Sequence, residues 1–288
     1  MRALEGLREV ADEFDGFILD LWGLVHDGER AYPPSAETFR QLKAAGKKTL
    51  LLSNAPRRAY ALVEGMTRMG IPRDLYGEVL SSGEAVREAL IKRDDPFFAS
   101  LGKRAYHMGP DRDRSVFDDT GIEIVAKVDD ADFLMNTGPT ELDETVEHYM
   151  APMRRAIARH LPMVCANPDF VVLRAGREIV CAGAFAQRYV EMGGKVGYRG
   201  KPDAAIYKLA LEKLGVADSS RVAVVGDALE TDVKGANAAG LASLWCTGGI
   251  HAAALGTRYG APSDPAKAEA LAREVGQMPS AIIPGFIW

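Results

Sequence analysis

An apolar run ends in a carboxylate near the start of the chain, in the sequence Phe17-Ile18-Leu19-Asp20-Leu21-Trp22-Gly23-Leu24-Val25. Its first three residues predict a short buried strand, and Asp20 follows directly at the C-terminal end of that strand. Binding crevices of open α/β sheets lie at the carboxyl ends of the strands, so Asp20 stands where a nucleophile can be presented. Many enzymes of this kind carry a second aspartate two residues later for proton transfer, but this chain has Trp22 there.

Later segments repeat the pattern of a buried strand followed by polar residues. A predicted strand at 48–52 precedes Ser53-Asn54, and another at 222–225 precedes Gly226-Asp227. Lys201 comes immediately before a predicted helix. Strands that alternate with helices in this way predict an α/β fold with a doubly wound parallel sheet.

The middle of the chain has strands and helices of its own. We expect residues 91–195 to form an inserted α/β cap domain, and residues 1–90 and 196–288 to form one core domain. Within the insert, the residues 140–160 predict one long amphipathic helix.

Bulk composition excludes several classes of function. The chain has 288 residues, 47% of them hydrophobic, and a formal net charge of -5, which argues against a nucleic-acid partner. The sequence shows no apolar stretch of membrane-spanning length and no apolar signal core at Met1, so we expect a cytoplasmic protein without a membrane partner. Three scattered cysteines predict buried free thiols.

The polar residues at the strand ends suggest a phosphate site with a metal. Asp20 and Asp227, with Asp232 nearby, would form an oxygen-only cluster, which suits Mg²⁺. Ser53 and Lys201 supply a hydroxyl and an ammonium, both of which bind phosphate. Backbone N–H groups after Asp20 would add donors at the turn.

Together these motifs resemble the haloacid dehalogenase (HAD) superfamily of hydrolases, most of which are phosphatases. The matching segments are Asp20-Leu21-Trp22-Gly23, Leu52-Ser53-Asn54, Gly200-Lys201-Pro202 and Gly226-Asp227-Ala228-Leu229-Glu230-Thr231-Asp232. The large insert lies between Ser53 and Lys201, as in the type IIA subgroup, which includes pyridoxal phosphate, phosphoglycolate and nucleotide-type phosphatases. Cys165-Ala166-Asn167-Pro168-Asp169 and Gly248-Gly249 are also similar to that subgroup. The resemblance covers nearly the whole chain.

The resemblance implies a Rossmann-like core, a capped site and a role for each matching residue. Asp20 would attack phosphorus to form an aspartyl-phosphate, with Lys201 as the second catalytic residue. The residues implied to bind phosphate or substrate are Ser53, Asn54, Trp22, Gly23, Asn167 and Asp169. The groups implied to hold Mg²⁺ are Asp20, the main-chain carbonyl of Trp22 and Asp227, with Asp232 behind them. The partner would be a small phosphorylated metabolite, and type IIA relatives imply a homodimer.

Trp22 departs from the family pattern, because the family's aspartate there protonates the leaving group and later activates water. General acid–base catalysis typically contributes about 10²–10⁴-fold, so we expect restricted turnover. Either His26 or Asp27 takes over the proton transfer, or the substrate has a good leaving group, or the protein binds a phosphometabolite without catalysis. The aromatic residue also resembles that of metal-independent dehalogenases, although those lack the acidic set retained here.

Overall fold

The computed structural model describes residues 1–174 and 176–288, and over this part of the chain it contains fourteen strands. They are, in chain order, β1 (Arg2–Ala3), β2 (Gly16–Leu19), β3 (Lys48–Ser53), β4 (Glu78–Ser81), β5 (Arg104–Met108), β6 (Glu123–Val125), β7 (Phe133–Asn136), β8 (Met163–Cys165), β9 (Val171–Arg174), β10 (Arg177–Val180), β11 (Val196–Tyr198), β12 (Val222–Gly226), β13 (Ala242–Cys246) and β14 (Ala281–Ile283).

Ten α-helices occur in the same described residues. They are α1 (Ser35–Ala44), α2 (Ala59–Arg68), α3 (Ser82–Lys92), α4 (Pro96–Ala99), α5 (Met150–Ala158), α6 (Ala182–Glu191), α7 (Ala204–Leu214), α8 (Lys234–Ala238), α9 (Ala252–Leu255) and α10 (Pro265–Val275). A π-helical turn, Leu229–Val233, precedes α8. Single 3-10 turns occur at Leu7–Glu9, Ala11–Glu13, Arg73–Leu75, Asp111–Phe117, Val128–Asp130, Val146–Tyr149 and Ser219–Arg221.

The larger sheet has seven strands in the order β1-β14-β13-β12-β2-β3-β4, all of them parallel. Strand β2 lies between β12 and β3, so the segments that follow these three strands meet at one edge of the sheet. Along β2, Phe17 and Leu19 pack with α1 on one face, while Ile18 packs with α7 on the other. Helices on both faces confirm the predicted doubly wound parallel α/β fold.

A second sheet of five parallel strands, in the order β11-β8-β7-β5-β6, is built from the middle of the chain. Strand β11 follows the predicted boundary at 195/196, yet Val196–Tyr198 pairs with Met163–Cys165 of this second sheet instead of joining the larger sheet. The chain therefore returns to the larger sheet only after Tyr198. A strand of three residues after a glycine pair shows too little periodicity to be assigned to either sheet from sequence.

The predicted long helix at 140–160 is wrong in its first part. Oε2 of Glu144 accepts hydrogen bonds from the backbone N–H of Thr140 (2.8 Å) and of Glu141 (3.0 Å). This side chain therefore holds the backbone in a turn that competes with helix formation. Helical structure starts only at Val146–Tyr149, with α5 after it.

The antiparallel hairpin of β9 and β10, which pairs Val171 with Val180, was not predicted from the sequence. Cys165, Cys181 and Cys246 are buried free thiols, as expected. Among the described helices, none has both the length and the apolar character needed to cross a membrane.

Candidate active site

The carboxyl ends of β2, β3 and β12 open into a cavity of about 990 Å³. Nearly all the predicted site residues line it, namely Asp20, Trp22, Gly23, Ser53, Asn54, Asn167, Asp169, Lys201 and Asp227. Asp232 is 2% exposed and lies behind this surface, where its carboxylate contacts Lys201. The fold therefore brings together residues from five separate segments of the sequence.

A buried ammonium bridges two of the carboxylates. Nζ of Lys201 donates to Oδ1 of Asp20 at 2.5 Å and to Oδ1 of Asp232 at 2.7 Å, and all three residues are less than a tenth exposed. Burial raises the pKa of Asp20 to about 7, although Lys201 opposes this shift. Burial acting alone would lower the pKa of Lys201, but the carboxylates of Asp20, Asp232 and Asp169 raise it well above its usual range.

Three buried carboxylates form a donor set that fits a hard divalent cation. One oxygen each from Asp20, Asp227 and Asp232 lies within 4.8 Å of the others. Burial, and then the charges of Asp20 and Asp232, raise the pKa of Asp227 well above its usual value. A cation held by these oxygens would offset that repulsion, and an all-oxygen set matches Mg²⁺.

Two glycines make room for Asp227. A Cβ atom on Gly23 would lie 1.9 Å from Oδ2 of Asp227, and a Cβ atom on Gly249 would lie 2.2 Å from the same oxygen. Gly23 also has a φ of +83°, which favours glycine. The backbone N–H of Ile250 donates to this oxygen at 2.7 Å, so the carboxylate is fixed in orientation.

Asn54 connects the loop after β3 to the backbone of Lys201. Its Oδ1 accepts from the N–H of Lys201 at 2.7 Å, and its Nδ2 donates to the carbonyl of Lys201 at 3.0 Å. The same Nδ2 donates to Oδ1 of Asp169 at 2.7 Å, and Oδ1 of Asn167 accepts from the N–H of Asp169 at 3.0 Å. The Asn167 and Asp169 side chains thus face the cavity while making these hydrogen bonds.

The side chain of Trp22 points to the hairpin of β9 and β10. Its indole Nε1 donates to the carbonyl of Leu173 at 2.6 Å, across 151 positions of sequence. The ring also lies against Gly28, where a Cβ atom would be 2.2 Å from Cζ2 of Trp22. The residue at the usual acid/base position therefore makes a structural contact across the cavity.

His26 and Asp27, the two predicted substitutes for the missing acid, both lack an acidic proton to donate at neutral pH. Burial lowers the pKa of His26 to about 4, and its Nδ1 accepts from the N–H of Gly28 at 3.0 Å. Burial alone would raise the pKa of Asp27, but backbone N–H donors of Arg30 and Glu29 outweigh it, so that the pKa is lowered. His26 is therefore neutral and Asp27 ionised at neutral pH.

Several cavity-lining residues were missed at the level of sequence. They include four arginines, Arg57, Arg112, Arg174 and Arg258, and apolar residues of the hairpin, Val171, Val172, Leu173, Ile179 and Val180. A signal for the hairpin exists, since two β-rich runs flank Ala175-Gly176. No local sequence pattern identifies the arginines, because they lie on separate parts of the fold that meet only at this cavity.

Two segments of the chain match sequence models of known families. Residues 17–123 match the haloacid dehalogenase-like hydrolase model, and residues 198–273 match a second model described as HAD-hydrolase-like. The first segment contains Asp20 and Ser53, and the second contains Lys201 and Asp227. Both halves of the site therefore fall within matched regions.

Individual relatives agree with these matches over most of the chain. Human (Homo sapiens) chronophin is 25% identical over 252 residues, which cover 85% of this chain and 84% of chronophin. Glycerol-3-phosphate phosphatase from Rattus norvegicus is 26% identical over 251 residues, covering 77% of this chain and 75% of the relative.

A crystal structure of a hydrolase of the haloacid dehalogenase-like family from Brucella suis 1330 is also similar to this fold. Its sequence is 33% identical to this chain, and the TM-score is 0.84. The match covers 99% of this chain and 100% of the Brucella suis protein. The predicted resemblance is confirmed, and this chain belongs to the haloacid dehalogenase-like hydrolase family.

Proposed function

We propose that this protein is a Mg²⁺-dependent phosphohydrolase that acts on a small phosphorylated metabolite through Asp20. The observation that carries the proposal is the buried grouping of Asp20, Lys201 and Asp227 at the edge of one cavity. The glycerol-3-phosphate phosphatase named among the relatives supports a phosphomonoester as the substrate class.

In the proposed reaction, Oδ of Asp20 attacks phosphorus as the bond from phosphorus to the leaving oxygen breaks. The leaving oxygen keeps the bonding electrons, and water then cleaves the aspartyl-phosphate to return Asp20 and phosphate. Lys201 and the hydroxyl of Ser53 would hold phosphoryl oxygens, and Asn54 would keep Lys201 in place through its two backbone hydrogen bonds.

Asp20, Asp227 and the main-chain carbonyl of Trp22 would hold the cation, with Asp232 behind them. Bound there, Mg²⁺ would supply positive charge that offsets repulsion between the nucleophile and the phosphate. The five-stranded sheet and the hairpin would act as the cap domain, excluding water and contacting the leaving group.

Trp22 restricts this reaction in a defined way. Position 22 carries no acidic group that could protonate a leaving oxygen, His26 is neutral, and Asp27 is held in a turn. We infer that leaving groups stable without a proton, such as aryl or acyl oxygens, react faster than alkyl oxygens.

The deciding experiment measures phosphate release from an aryl phosphate and an alkyl phosphate, with Mg²⁺ and with chelator. Asp20→Asn should lower release by about 10⁴-fold or more, while the exposed control Asp12→Asn should not change it. Release from the aryl ester alone supports a phosphatase limited by leaving-group protonation. Release from neither ester, with Mg²⁺ still bound, would favour a phosphometabolite-binding protein, and 2-haloacid hydrolysis in chelator would favour a dehalogenase.

A second experiment introduces a carboxylate at position 22. Trp22→Asp should raise turnover of the alkyl ester more than that of the aryl ester, because only the alkyl oxygen needs a proton. A thermal melt of the variant would separate loss of the Leu173 contact from a chemical effect. Equal change for both esters in a folded variant would contradict the assigned role of position 22.

A further inference from the structure

Four arginines line the cavity without a role in the reaction above, namely Arg258 and a group of three formed by Arg57, Arg112 and Arg174. Arg57 follows the loop of Ser53 and Asn54, Arg112 lies in the 3-10 turn Asp111–Phe117, and Arg174 ends β9. Arg57 is four positions after Ser53, so their Cα atoms are at most about 14 Å apart. One small molecule can therefore reach both the phosphate site and this arginine.

Two of these three arginines lie beside a carboxylate. Nε of Arg57 lies 3.2 Å from Oδ1 of Asp113, which is 3% exposed, but both atoms lack a hydrogen-bond partner among the described residues. Nε of Arg174 lies 3.5 Å from Oε1 of the half-exposed Glu29. Arg112 has no ion-pair partner within the described parts of the chain.

Arg112 and Arg174 both lie near enough to Arg57 for their positive charges to act on its guanidinium group. Burial lowers the pKa of Arg57, and the charges of Arg112 and Arg174 lower it further, while Asp113 opposes the shift. Like charges gathered at a partly buried wall are unfavourable unless an anion joins them. Guanidinium groups bind carboxylate and phosphate oxygens in two-pronged pairs.

We propose that the substrate carries a second anionic group, a carboxylate or a second phosphate, which Arg57, Arg112 and Arg174 bind while the reacting phosphoryl group lies at Asp20. This inference rests on the proposed phosphatase function. It restricts the proposed substrate to small phosphomonoesters that carry a second anionic group. The cavity of about 990 Å³ is large enough for such a molecule.

The test compares three aryl phosphates that differ only at the para position. They are 4-carboxyphenyl, 4-phosphonophenyl and 4-carbamoylphenyl phosphate, the last being a neutral analogue. The kcat/KM of one of the two anionic esters should exceed that of the carbamoyl ester by about tenfold to hundredfold. A faster 4-carboxyphenyl ester would identify the second group as a carboxylate, and a faster 4-phosphonophenyl ester would identify it as a phosphate. Equal kcat/KM for all three would overturn the proposal.

Substitutions of the arginines then test whether these residues cause the preference for an anionic ester. Arg112→Ala and Arg174→Ala should each reduce it about tenfold, mainly through KM, and Arg174→Lys should restore part of it. Arg114→Ala is the matched control, because Arg114 lies in the same 3-10 turn, pairs with Asp111 and does not line the cavity. A preference that survives in the Arg112→Ala/Arg174→Ala double variant would contradict the assignment.

The same design separates failure of the two proposals. If no ester releases phosphate, the phosphatase function fails, and binding of 4-carboxyphenylphosphonate and phenylphosphonate is measured by calorimetry instead. Tighter binding of the carboxylated compound, lost in Arg112→Ala, would then still support the anionic subsite, and equal binding would exclude it.

Discussion

The two sides of the cavity are held by different forces. The floor, defined as Asp20, Ser53, Lys201, Asp227 and Asp232, is less than a tenth exposed, and buried ionic hydrogen bonds join Lys201 to Asp20 and to Asp232. The roof, defined as the hairpin Val171–Arg174 with Arg177–Val180, is half-buried or exposed and meets the opposite loop through one indole hydrogen bond and one long ion pair.

This difference suggests separate roles for the two sides, with the reaction at the floor and the choice of substrate at the roof. Removing Lys201 from the floor is expensive, because the buried carboxylates of Asp20 and Asp232 then lose their shared partner. The roof contributes apolar surface and arginine side chains that can be exchanged at low cost in stability. We therefore expect reaction type to follow the floor and substrate choice to follow the roof.

The largest expected effect comes from removing the ammonium of the floor. Lys201→Met leaves Asp20 and Asp232 without their shared cation, so the free energy of unfolding in chelator should fall by about 3–5 kcal/mol. Urea unfolding measures this. Lys48→Met is the control, because Lys48 is exposed, and a loss for Lys201→Met no larger than for the control would remove the contrast between floor and roof.

A pH effect of about 2 kcal/mol is expected at His26. Its folded pKa of about 4 lies below the unfolded value of 6.5, so the unfolded chain takes up the proton first as the pH falls. The stability from neutral His26 is complete above about pH 6.5 and is lost progressively toward about pH 4.

His26→Asn keeps an acceptor for the N–H of Gly28 but does not titrate. Wild type should therefore lose about 2 kcal/mol more than the variant between about pH 7.5 and pH 5, measured by urea unfolding. Parallel pH curves for the two proteins would mean that His26 is protonated or solvated in the folded state.

A smaller effect is expected where Trp22 meets the roof. Trp22→Phe keeps an aromatic ring but leaves the carbonyl of Leu173 without its donor, at a cost of about 1 kcal/mol. Amide hydrogen exchange in the hairpin should become about fivefold faster, with little change in β12. Trp288→Phe, at the opposite end of the chain, serves as the control, and equal acceleration in both variants would show that the contact does not hold the roof.

The smallest effect is expected at the ion pair between Glu29 and Arg174. Their side chains are 49% and 35% exposed, and the N–O distance is 3.5 Å, so Glu29→Gln should cost about 0–0.5 kcal/mol. Thermal melts at low and high salt measure this difference. A loss above about 1 kcal/mol that disappears in salt would show that charge, and not the indole, secures the roof.

The floor was accessible to sequence reasoning because its geometry is fixed by topology. Parallel strands end at one edge, so Asp20, Ser53 and Asp227 must meet once three neighbouring strands are identified. Lys201 needed the family resemblance, since a lysine before a helix is unremarkable by itself. The acidic residues and their spacing along the sequence indicate a metal site by themselves.

The position of the roof over the floor was not accessible, because it depends on how the separately formed hairpin packs against the loop after β2. Leu173 is 151 positions from Trp22, and no local pattern links them. The turn at Thr140 similarly depends on one carboxylate, Glu144, whose hydrogen bonds override the helical pattern of the sequence. Periodicity reports which face is buried, but not which distant segment covers it.

The indole of Trp22 has a consequence for substitutions at position 22. It donates to Leu173 and fills the space over Gly28, so position 22 is coupled to two sites beyond the reaction centre. Replacing it by aspartate would supply an acid while also removing a hydrogen bond and leaving a void beside Gly28. A change to aspartate at position 22 therefore alters the fold as well as the chemistry, and we expect it to need compensating changes in the hairpin or at Gly28.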